Sequence, residues 1–415
     1  GTFENVRLYN FTINPSVGKE YVGQTFYVGS IAAKLREGTI ENVSLDINFN
    51  FENSRVLLGS YVIGGVAGEA SGTIKKIYIS NDSQIVINPL TYNSDNKISN
   101  SSYLGGVVGK TGNTKLTLYN IKNTGLIENL AANQLYLNNQ ISYHIGGIIG
   151  YANNTNLVKH DFGLLTNTSS ITYHSLTANY GITTYLGGVI GLSSGMMYEF
   201  SQTYGKFTNT GTFIYENNQG NNLYLAGVLN SNHESAVEYV QISNDNDLTI
   251  NQANINAAAL INHLSNTKLT VSQANSYGDI TYNTVNYQNI AGAINTSSNS
   301  ELQLNFVNVE SNLFVNYSDN ANELSIAGVT LNQNANYLNV TYGGLIEVEI
   351  TNNNASIIWV AGITKQLSAE KVMKNSMNEG EIHLYVKTTN TNNNVVKNVY
   401  VGGLVNLNEA GNLHL

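Results

Sequence analysis

A short apolar phrase built around two small residues recurs along the whole chain. It runs from Tyr103 to Gly109, returns from His144 to Gly150, and returns again from Tyr185 to Gly191. In every copy one apolar residue precedes the small pair and another follows it. Self-similarity at a roughly fixed period is the signature of a repeat architecture. The second small residue of the eleven copies is Ser30, Gly65, Gly106, Gly147, Gly188, Gly227, Ala259, Gly292, Gly328, Gly362 and Gly403.

The segments between these phrases alternate apolar and polar residues and are rich in Ile, Val, Thr and Tyr. Examples are 115–120, 268–271, 278–282 and 381–386. This period of two predicts strands and not helices. Consecutive phrases lie 32 to 41 residues apart, which leaves room for about three short strands in each period. The pattern therefore predicts an all-β fold, a three-faced parallel β-solenoid (a right-handed β-helix) of about eleven coils of 32–41 residues.

The two apolar positions that flank the small pair are three residues apart, so one straight strand cannot point both of them inward. We therefore expect a bend or bulge at the pair. The first small residue is Gly in the early copies, such as Gly105 and Gly146, and Ala in later ones, such as Ala291 and Ala327. Ala is costly where φ is positive, so this position is expected to be small for packing reasons.

The change from Gly to Ala, together with the shorter spacing, suggests subdivisions within one continuous β-solenoid over 1–415. Long Gly-Gly coils occupy about 1–220, shorter Ala-Gly coils about 221–370, and final coils 371–415. The chain opens and closes in mid-coil, without the polar cap that solenoids need. We expect it to be a segment of a longer protein.

Two further columns repeat with the phrase. Asn occupies one of them at Asn230, Asn262, Asn295 and Asn406, either as a ladder of side-chain amides or as a tolerated turn residue. Aromatic residues occupy the other, either as a structural stack along one face or as a sugar-binding platform. They are Tyr27, Tyr103, His144, Tyr185, Tyr224, Trp359 and Tyr400.

The amino-acid composition argues against several classes of function. Only 11% of residues are charged, the net charge is −9, and no basic stripe is visible along the chain, so nucleic acid is not an expected partner. The absence of Cys removes disulfides, Cys-type zinc sites and thiol catalysis. No apolar run is long enough to predict a membrane span in this segment.

The phrase from Tyr103 to Gly109, followed by strand-like pieces such as Asn120–Ile127, resembles the GLUG-type repeat of large bacterial surface and adhesin-like proteins. The resemblance covers nearly all of the chain and is best from about 60 to 215. In the middle of the chain Ala replaces the first Gly of the pair. The resemblance implies a β-solenoid in an extracellular setting at the bacterial cell surface, and it carries no catalytic residue.

Few residues are candidates for a catalytic or metal-binding site. The seven His residues are scattered, and His144 falls in the aromatic column, where packing is the expected role. Polysaccharide cleavage needs two or three acids that face one cleft, and the candidates are Asp245, Asp247 and Asp279. The first two lie in a turn, where Asp is expected anyway. We predict no enzyme, no catalytic, cofactor or metal site, and no cofactor.

The sequence thus predicts a structural function, a rigid stalk that supports attachment by an extracellular surface protein. One alternative is a subunit that builds a filament or sheath by end-to-end stacking through unpaired strand edges. A second alternative is a carbohydrate-binding or carbohydrate-active β-helix protein. The expected partners are neighbouring copies or flanking domains of the same protein, with host or surface glycans as further candidates.

Overall fold

The fold is described from a computed structural model. It describes residues 1–14, 25–52, 60–88, 101–130, 141–153, 160–175, 182–194, 196–197, 205–217, 221–232, 235–251, 255–283, 289–297, 300–318, 323–351, 357–387, 398–408 and 412–414. These residues contain strands and no helix. The chain divides into two compact units, Gly1–Asn230 and Ser231–Leu415. No described helix could cross a membrane.

The strands of the first unit range from 2 to 16 residues, and the boundary between the units falls inside β22. They are β1 (Thr2–Ile13), β2 (Thr25–Val28), β3 (Ala32–Leu35), β4 (Thr39–Glu52), β5 (Ser60–Gly64), β6 (Ala67–Ile79), β7 (Gln84–Asn88), β8 (Ser101–Gly105), β9 (Val108–Asn123), β10 (Leu126–Asn129), β11 (Ile141–Gly146), β12 (Ile149–Asn153), β13 (Asp161–Phe162), β14 (Leu164–Asn167), β15 (Ile171–Ser175), β16 (Ile182–Gly187), β17 (Ile190–Ser194), β18 (Met196–Met197), β19 (Gly205–Asn209), β20 (Phe213–Asn217), β21 (Asn222–Ala226) and β22 (Leu229–Ser231).

The second unit also consists of successive strands, of 2 to 10 residues. They are β23 (Ser235–Asn244), β24 (Leu248–Ile250), β25 (Ile255–Ala258), β26 (Ile261–His263), β27 (Leu269–Ser276), β28 (Ile280–Asn283), β29 (Asn289–Ala291), β30 (Ile294–Thr296), β31 (Leu302–Val309), β32 (Leu313–Tyr317), β33 (Glu323–Ala327), β34 (Ala335–Tyr342), β35 (Leu345–Thr351), β36 (Ile357–Ala361), β37 (Thr364–Leu367), β38 (Val372–Lys374), β39 (Met377–Asn378), β40 (Glu381–Lys387), β41 (Asn398–Gly402), β42 (Val405–Asn408) and β43 (Asn412–His414).

Within each unit the strands pair in parallel, each with its counterpart one repeat away. In the first unit Gly146 lies opposite Gly105 on one side and opposite Gly187 on the other. In the second unit β24, β28, β32, β35 and β40 form one parallel sheet in that order. The predicted all-β fold, a parallel β-solenoid, is confirmed. Whether 1–415 forms one continuous solenoid stays a prediction.

The predicted bend at the small pair is present. In the first unit the amides of Val107 and Val108 both donate to the Ile148 carbonyl, at 3.0 and 2.9 Å. The same arrangement recurs in the second unit, where Ala293 and Ile294 both donate to the carbonyl of Val329. Two donors on one acceptor mark one extra residue in the ladder, which is a bulge that turns the strand. In most coils the phrase is therefore two strand segments and not one, as in β8 and β9 or β29 and β30.

The bend buries both apolar columns that flank the small pair. Ile145 before the pair and Ile148 after it are fully buried in the first unit, as are Ile326 and Val329 in the second. Like side chains stack over like in successive coils, so each coil buries its apolar face against its neighbours. This in-register stacking is the main organising feature of both units.

A ladder of buried amides lines a corner of the first unit that the sequence analysis did not single out. The Asn167 side chain donates to Asn209 at 2.9 Å, and Asn123 donates to Asn167 at 3.5 Å. Each side-chain oxygen also accepts the main-chain amide two residues later, of Gly125, Ser169 or Gly211. Recurrence of Asn-Thr-Gly or Asn-Thr-Ser at these positions was the available signal.

The ladder also completes the bend. The Gly106 amide donates to the Gly146 carbonyl and the Val107 amide to the Ile148 carbonyl, so the main-chain ladder steps over the Gly147 carbonyl between them. That carbonyl accepts the Asn123 side chain instead, at 2.8 Å. A buried carbonyl is costly to leave without a donor, so the corner Asn and the bend depend on each other.

The predicted Asn column contributes differently. The Asn230 side chain donates to the main-chain carbonyls of Leu186 and Gly191, at 3.1 and 2.7 Å, and Asn262 donates to the carbonyl of Asn256 at 3.0 Å. Both Asn residues are buried within strands. They are therefore neither turn residues nor, in these bonds, rungs of an amide ladder, because their donors serve the main chain.

Candidate functional site: the aromatic column

The predicted aromatic stack is present in the first unit. Tyr103, His144, Tyr185 and Tyr224 occupy the same register position in β8, β11, β16 and β21. Successive ring centroids are 4.9, 5.0 and 5.2 Å apart. This spacing follows from the separation of neighbouring strands, which is about 4.8 Å. We call these four residues the aromatic column.

A second outward column contacts the first across the bend. Lys110 and Tyr151 lie seven positions after Tyr103 and His144, and Lys34 and Glu69 continue their column in the preceding coils, in register. The ring centroids of Tyr151 and Tyr103 are 5.2 Å apart. The Tyr151 hydroxyl and the Ser194 hydroxyl form a 2.7 Å hydrogen bond. The bend thus folds two short strands toward one another on their outer side.

Opposite charges alternate at the start of this column, in the order Lys34, Glu69 and Lys110. The Lys34 ammonium lies 3.6 Å from the centroid of the Tyr27 ring, and Lys110 forms a 2.9 Å ion pair with Glu69. Burial opposes the charge of Lys110, but the hydrogen bond and charge of Glu69 outweigh it and raise the pKa of Lys110 above its ordinary value. Lys110 is therefore a fixed charge in the structure and not a general base.

His144 is a packed residue, as the sequence analysis expected. Its ring lies between Tyr103 and Tyr185 and also contacts Tyr151 at 5.1 Å. Burial lowers the pKa of His144 to about 3, so the ring is neutral at physiological pH. One ring nitrogen, Nε2, lies 3.2 Å from the Ser142 hydroxyl, while Nδ1 is buried without a hydrogen-bond partner.

The geometry of the column argues against sugar stacking on it. A sugar packs on the open face of an aromatic ring, and Tyr185 and Tyr224 lie nearly parallel, with 10° between their planes. Rings stacked in this way cover one another's faces and present their edges to solvent. The aromatic column therefore suits packing between coils better than it suits a sugar-binding platform.

A shorter aromatic stack occurs in the second unit. Trp359 and Tyr400 lie opposite one another in β36 and β41, with centroids 4.0 Å apart and 13° between planes. The Lys365 ammonium lies 5.1 Å from the Trp359 ring and pairs with Glu323. Both units therefore use ring stacks bounded by a Lys–Glu pair.

The structure brings two of the three candidate acids together. Asp247 and Asp279 precede residues that pair in β24 and β28, so they lie one coil apart. Asp247 accepts the main-chain amide of Asp279 at 2.8 Å, and Asp279 accepts that of Asn312 at 3.0 Å. Asn312 in turn accepts the amide of Leu345 at 2.8 Å. These carboxylates link successive coils at a corner.

Asp245 lies apart from this chain of hydrogen bonds, as an exposed residue in the connection between β23 and β24. Across the described ranges, no three His, Cys, Asp or Glu side chains are placed to hold a metal ion. The acids that the structure does bring together each hold a main-chain N–H, which is a structural use of a carboxylate.

Comparison of the chain with protein-family models, with curated proteins and with solved structures returned no match. The resemblance to the GLUG-type repeat therefore rests on the repeated phrase and stays a prediction.

Proposed function

We propose that this chain is a structural segment of an extracellular, adhesin-like bacterial surface protein, and that it acts as a rigid stalk supporting attachment. The observation that supports the proposal is the in-register stacking of like on like in successive coils, as in Gly105, Gly146 and Gly187. Parallel pairing, the Asn ladder and the aromatic column all act between one coil and the next, which resists bending of the solenoid. The GLUG-like phrase supports the surface setting.

Removal of one whole coil tests the stalk. Deleting residues 107–147 joins Gly106 to Ile148 in the same phase of the repeat. Because each coil contacts only its neighbours, we expect the shortened protein to fold, to reach the cell surface of its native organism and to hold the attached region closer to the cell. Protease treatment of intact cells reports the location, and energy transfer between dyes placed on either side of the deletion reports the distance, which should fall by about 4.8 Å.

An out-of-phase deletion of residues 107–126 is the matched control, because it joins unlike positions and should prevent folding of the first unit. Resistance of the protein to protease in intact cells but not in lysed cells would contradict the surface setting. An unchanged distance after the whole-coil deletion would contradict the stalk.

A further inference from the structure

One outer face of the first unit combines exposed aromatic rings with an excess of positive charge. Lys75 lies opposite Tyr119 in the pairing of β6 with β9, and Tyr78 lies opposite Lys122. The four side chains alternate as a two-by-two pattern of Lys and Tyr on neighbouring coils. We call them, together with Lys76, the Lys–Tyr face. They are 41 to 47 residues apart between strands, so no linear stripe reveals them.

The charge of this face is opposite to that of the chain as a whole, which carries −9. Lys75 and Lys76 share one carboxylate, that of Glu41, at 2.8 and 2.9 Å. Hydrogen bonds from Lys75 and Lys76 lower the pKa of Glu41, so it stays ionised. Lys122 is exposed, and the described residues place no carboxylate within ion-pair distance of it. Three cations therefore face one anion.

Lys76 occupies a position that disfavours it. Its φ is +54°, in the left-handed region, and the residues in the same register column are Asn5, Asn42 and Asn120, also with positive φ. Asn tolerates this conformation better than a long side chain does. A residue that breaks a local preference points to a use for its side chain. Here the left-handed conformation of Lys76 accompanies the outward position of both Lys75 and Lys76, which pair with the same carboxylate.

The two rings are available to a ligand. Tyr78 and Tyr119 are 42% and 44% exposed. Tyr119 lies against the backbone of the next coil at Gly163, where an added Cβ would come within 2.3 Å of the ring. The missing side chain at Gly163 thus makes room for the ring. A ring held on a rigid strand loses little freedom when it binds.

We propose that the Lys–Tyr face binds an acidic polysaccharide. Sugar rings would pack on Tyr78 and Tyr119, and carboxylate or sulfate groups would bind the ammonium groups of Lys75, Lys76 and Lys122. Coils repeat at about 4.8 Å, which is comparable to the length of one sugar residue. A sugar polymer presents C–H faces to the rings and acidic groups to the ammonium groups, so it fits both features of this face. Single-stranded nucleic acid, whose bases also stack on aromatic rings, is the alternative that the test includes.

The test measures binding of the full chain to immobilised polygalacturonate and heparin oligomers, with dextran as a neutral polymer and single-stranded DNA as a competing polyanion. We expect both acidic polymers to bind, and we expect added salt to weaken their binding. The paired substitution Tyr119→Ala with Lys122→Glu should weaken binding by about tenfold or more. Both residues are exposed, so circular dichroism should show an unchanged fold.

The matched control is Tyr277→Ala with Lys268→Glu in the second unit, where Tyr277 is 46% exposed and Lys268 is also exposed. This control should bind like the unchanged chain. Equal weakening by both pairs, equal binding of dextran, tighter binding of single-stranded DNA, or no binding of either acidic polymer would overturn the proposal. The stalk is tested by coil deletion, so the two proposals fail separately.

Discussion

The bends of the two units differ in most coils in their first small residue, which is Gly in the first unit and Ala in the second, whereas the second small residue is mostly Gly in both. The exceptions are Ala226, Gly402, Ser30 and Ala259. In the first unit a Cβ added at Gly146 would lie 2.0 Å from the carbonyl oxygen of Ile149, within the same bend. The second unit carries buried Ala at the equivalent positions Ala291 and Ala327. The first position is therefore limited by the turn itself and by the Gly191 amide nitrogen of the next coil, which would lie 2.6 Å from that Cβ, and the second unit relaxes this limit.

The second position is Gly in most coils, with Ser30 and Ala259 as the exceptions, and its neighbours limit its size. A Cβ at Gly147 would lie 2.2 Å from both the Gly188 carbonyl oxygen and the Asn167 side chain. At Gly328 in the second unit it would lie 2.4 Å from the Gly362 carbonyl oxygen and from the Tyr342 ring. Two contacts, one with the next coil and one with the opposite corner, leave no room for a Cβ at Gly147 or at Gly328.

The largest expected effect is therefore at the second position. Gly147→Ala forces a Cβ into backbone that cannot move aside, and we expect it to destabilise the first unit by about 3 kcal/mol. Hydrogen exchange followed by mass spectrometry would report faster exchange in first-unit peptides. Gly343→Ala is the control, because its nearest neighbour lies 3.8 Å away. Similar exchange in the two variants would show that the packing argument is wrong.

The first position should show a smaller effect that differs between units. Gly146→Ala meets the Ile149 carbonyl, so we expect a loss of about 2 kcal/mol. Ala291→Gly in the second unit removes a buried methyl and adds chain freedom, for a loss of about 1 kcal/mol. Guanidinium titrations followed by peptide-level exchange separate the units. If Gly146→Ala stabilises the protein, the first-unit bend is no tighter than the second.

Acid should weaken the first unit through His144. Its folded pKa of about 3 lies below the ordinary value of 6.5, so the folded state binds fewer protons than the unfolded state. The stability from the neutral ring is complete above about pH 6.5 and falls as the pH drops toward 3, by about 2 kcal/mol at pH 5. Unfolding titrations from pH 7 to pH 5 measure this loss.

His144→Phe is the variant for that comparison, because it keeps a ring in the column without a titrating group. Its stability should change less between pH 7 and pH 5 than that of the unchanged chain. Some dependence remains, because burial also lowers the pKa of His160, to about 4. An identical pH dependence in the two proteins would contradict the neutral, buried state of His144.

The amide ladders offer a comparison between a buried and an exposed Asn. Asn167→Ala removes the acceptor of the buried Ser169 amide and the donor to Asn209, for a loss of about 1.5 kcal/mol. Asn316→Ala breaks a 2.7 Å bond to Asn283 on the exposed side of the second unit, where water replaces it. Thermal unfolding should show a larger loss of stability for Asn167→Ala than for Asn316→Ala. Equal losses would show that burial does not determine how much an Asn–Asn hydrogen bond contributes to stability.

The smallest effect is expected at the candidate acid Asp279. Asp279→Asn keeps the oxygen that accepts the Asn312 amide, so stability should change by less than about 0.5 kcal/mol. If the chain cleaves acidic polysaccharides, the same variant should abolish the release of reducing ends, and the structural account of this carboxylate would be incomplete.

The parts that sequence could predict are those that repeat in a linear phrase. The parallel stacking, the bend at Gly105–Gly106 and the aromatic column follow from that phrase. The contribution of the Asn167 ladder to stability could not be predicted from the sequence, because it depends on contact with Gly147 across the interior. The Lys–Tyr face stayed hidden because register, and not sequence proximity, brings Tyr78 beside Lys122.

The central claim is the register of coil on coil, and cysteine cross-linking tests it most directly because the chain contains no Cys. Thr166 lies opposite Thr208, while Lys206 lies two residues out of register with Thr166. Under mild oxidation the pair Thr166→Cys with Thr208→Cys should form a disulfide. The pair Thr166→Cys with Lys206→Cys should not, since Cα atoms more than about 7 Å apart cannot be bridged. Preferential cross-linking of the second pair would contradict the register and the account built on it.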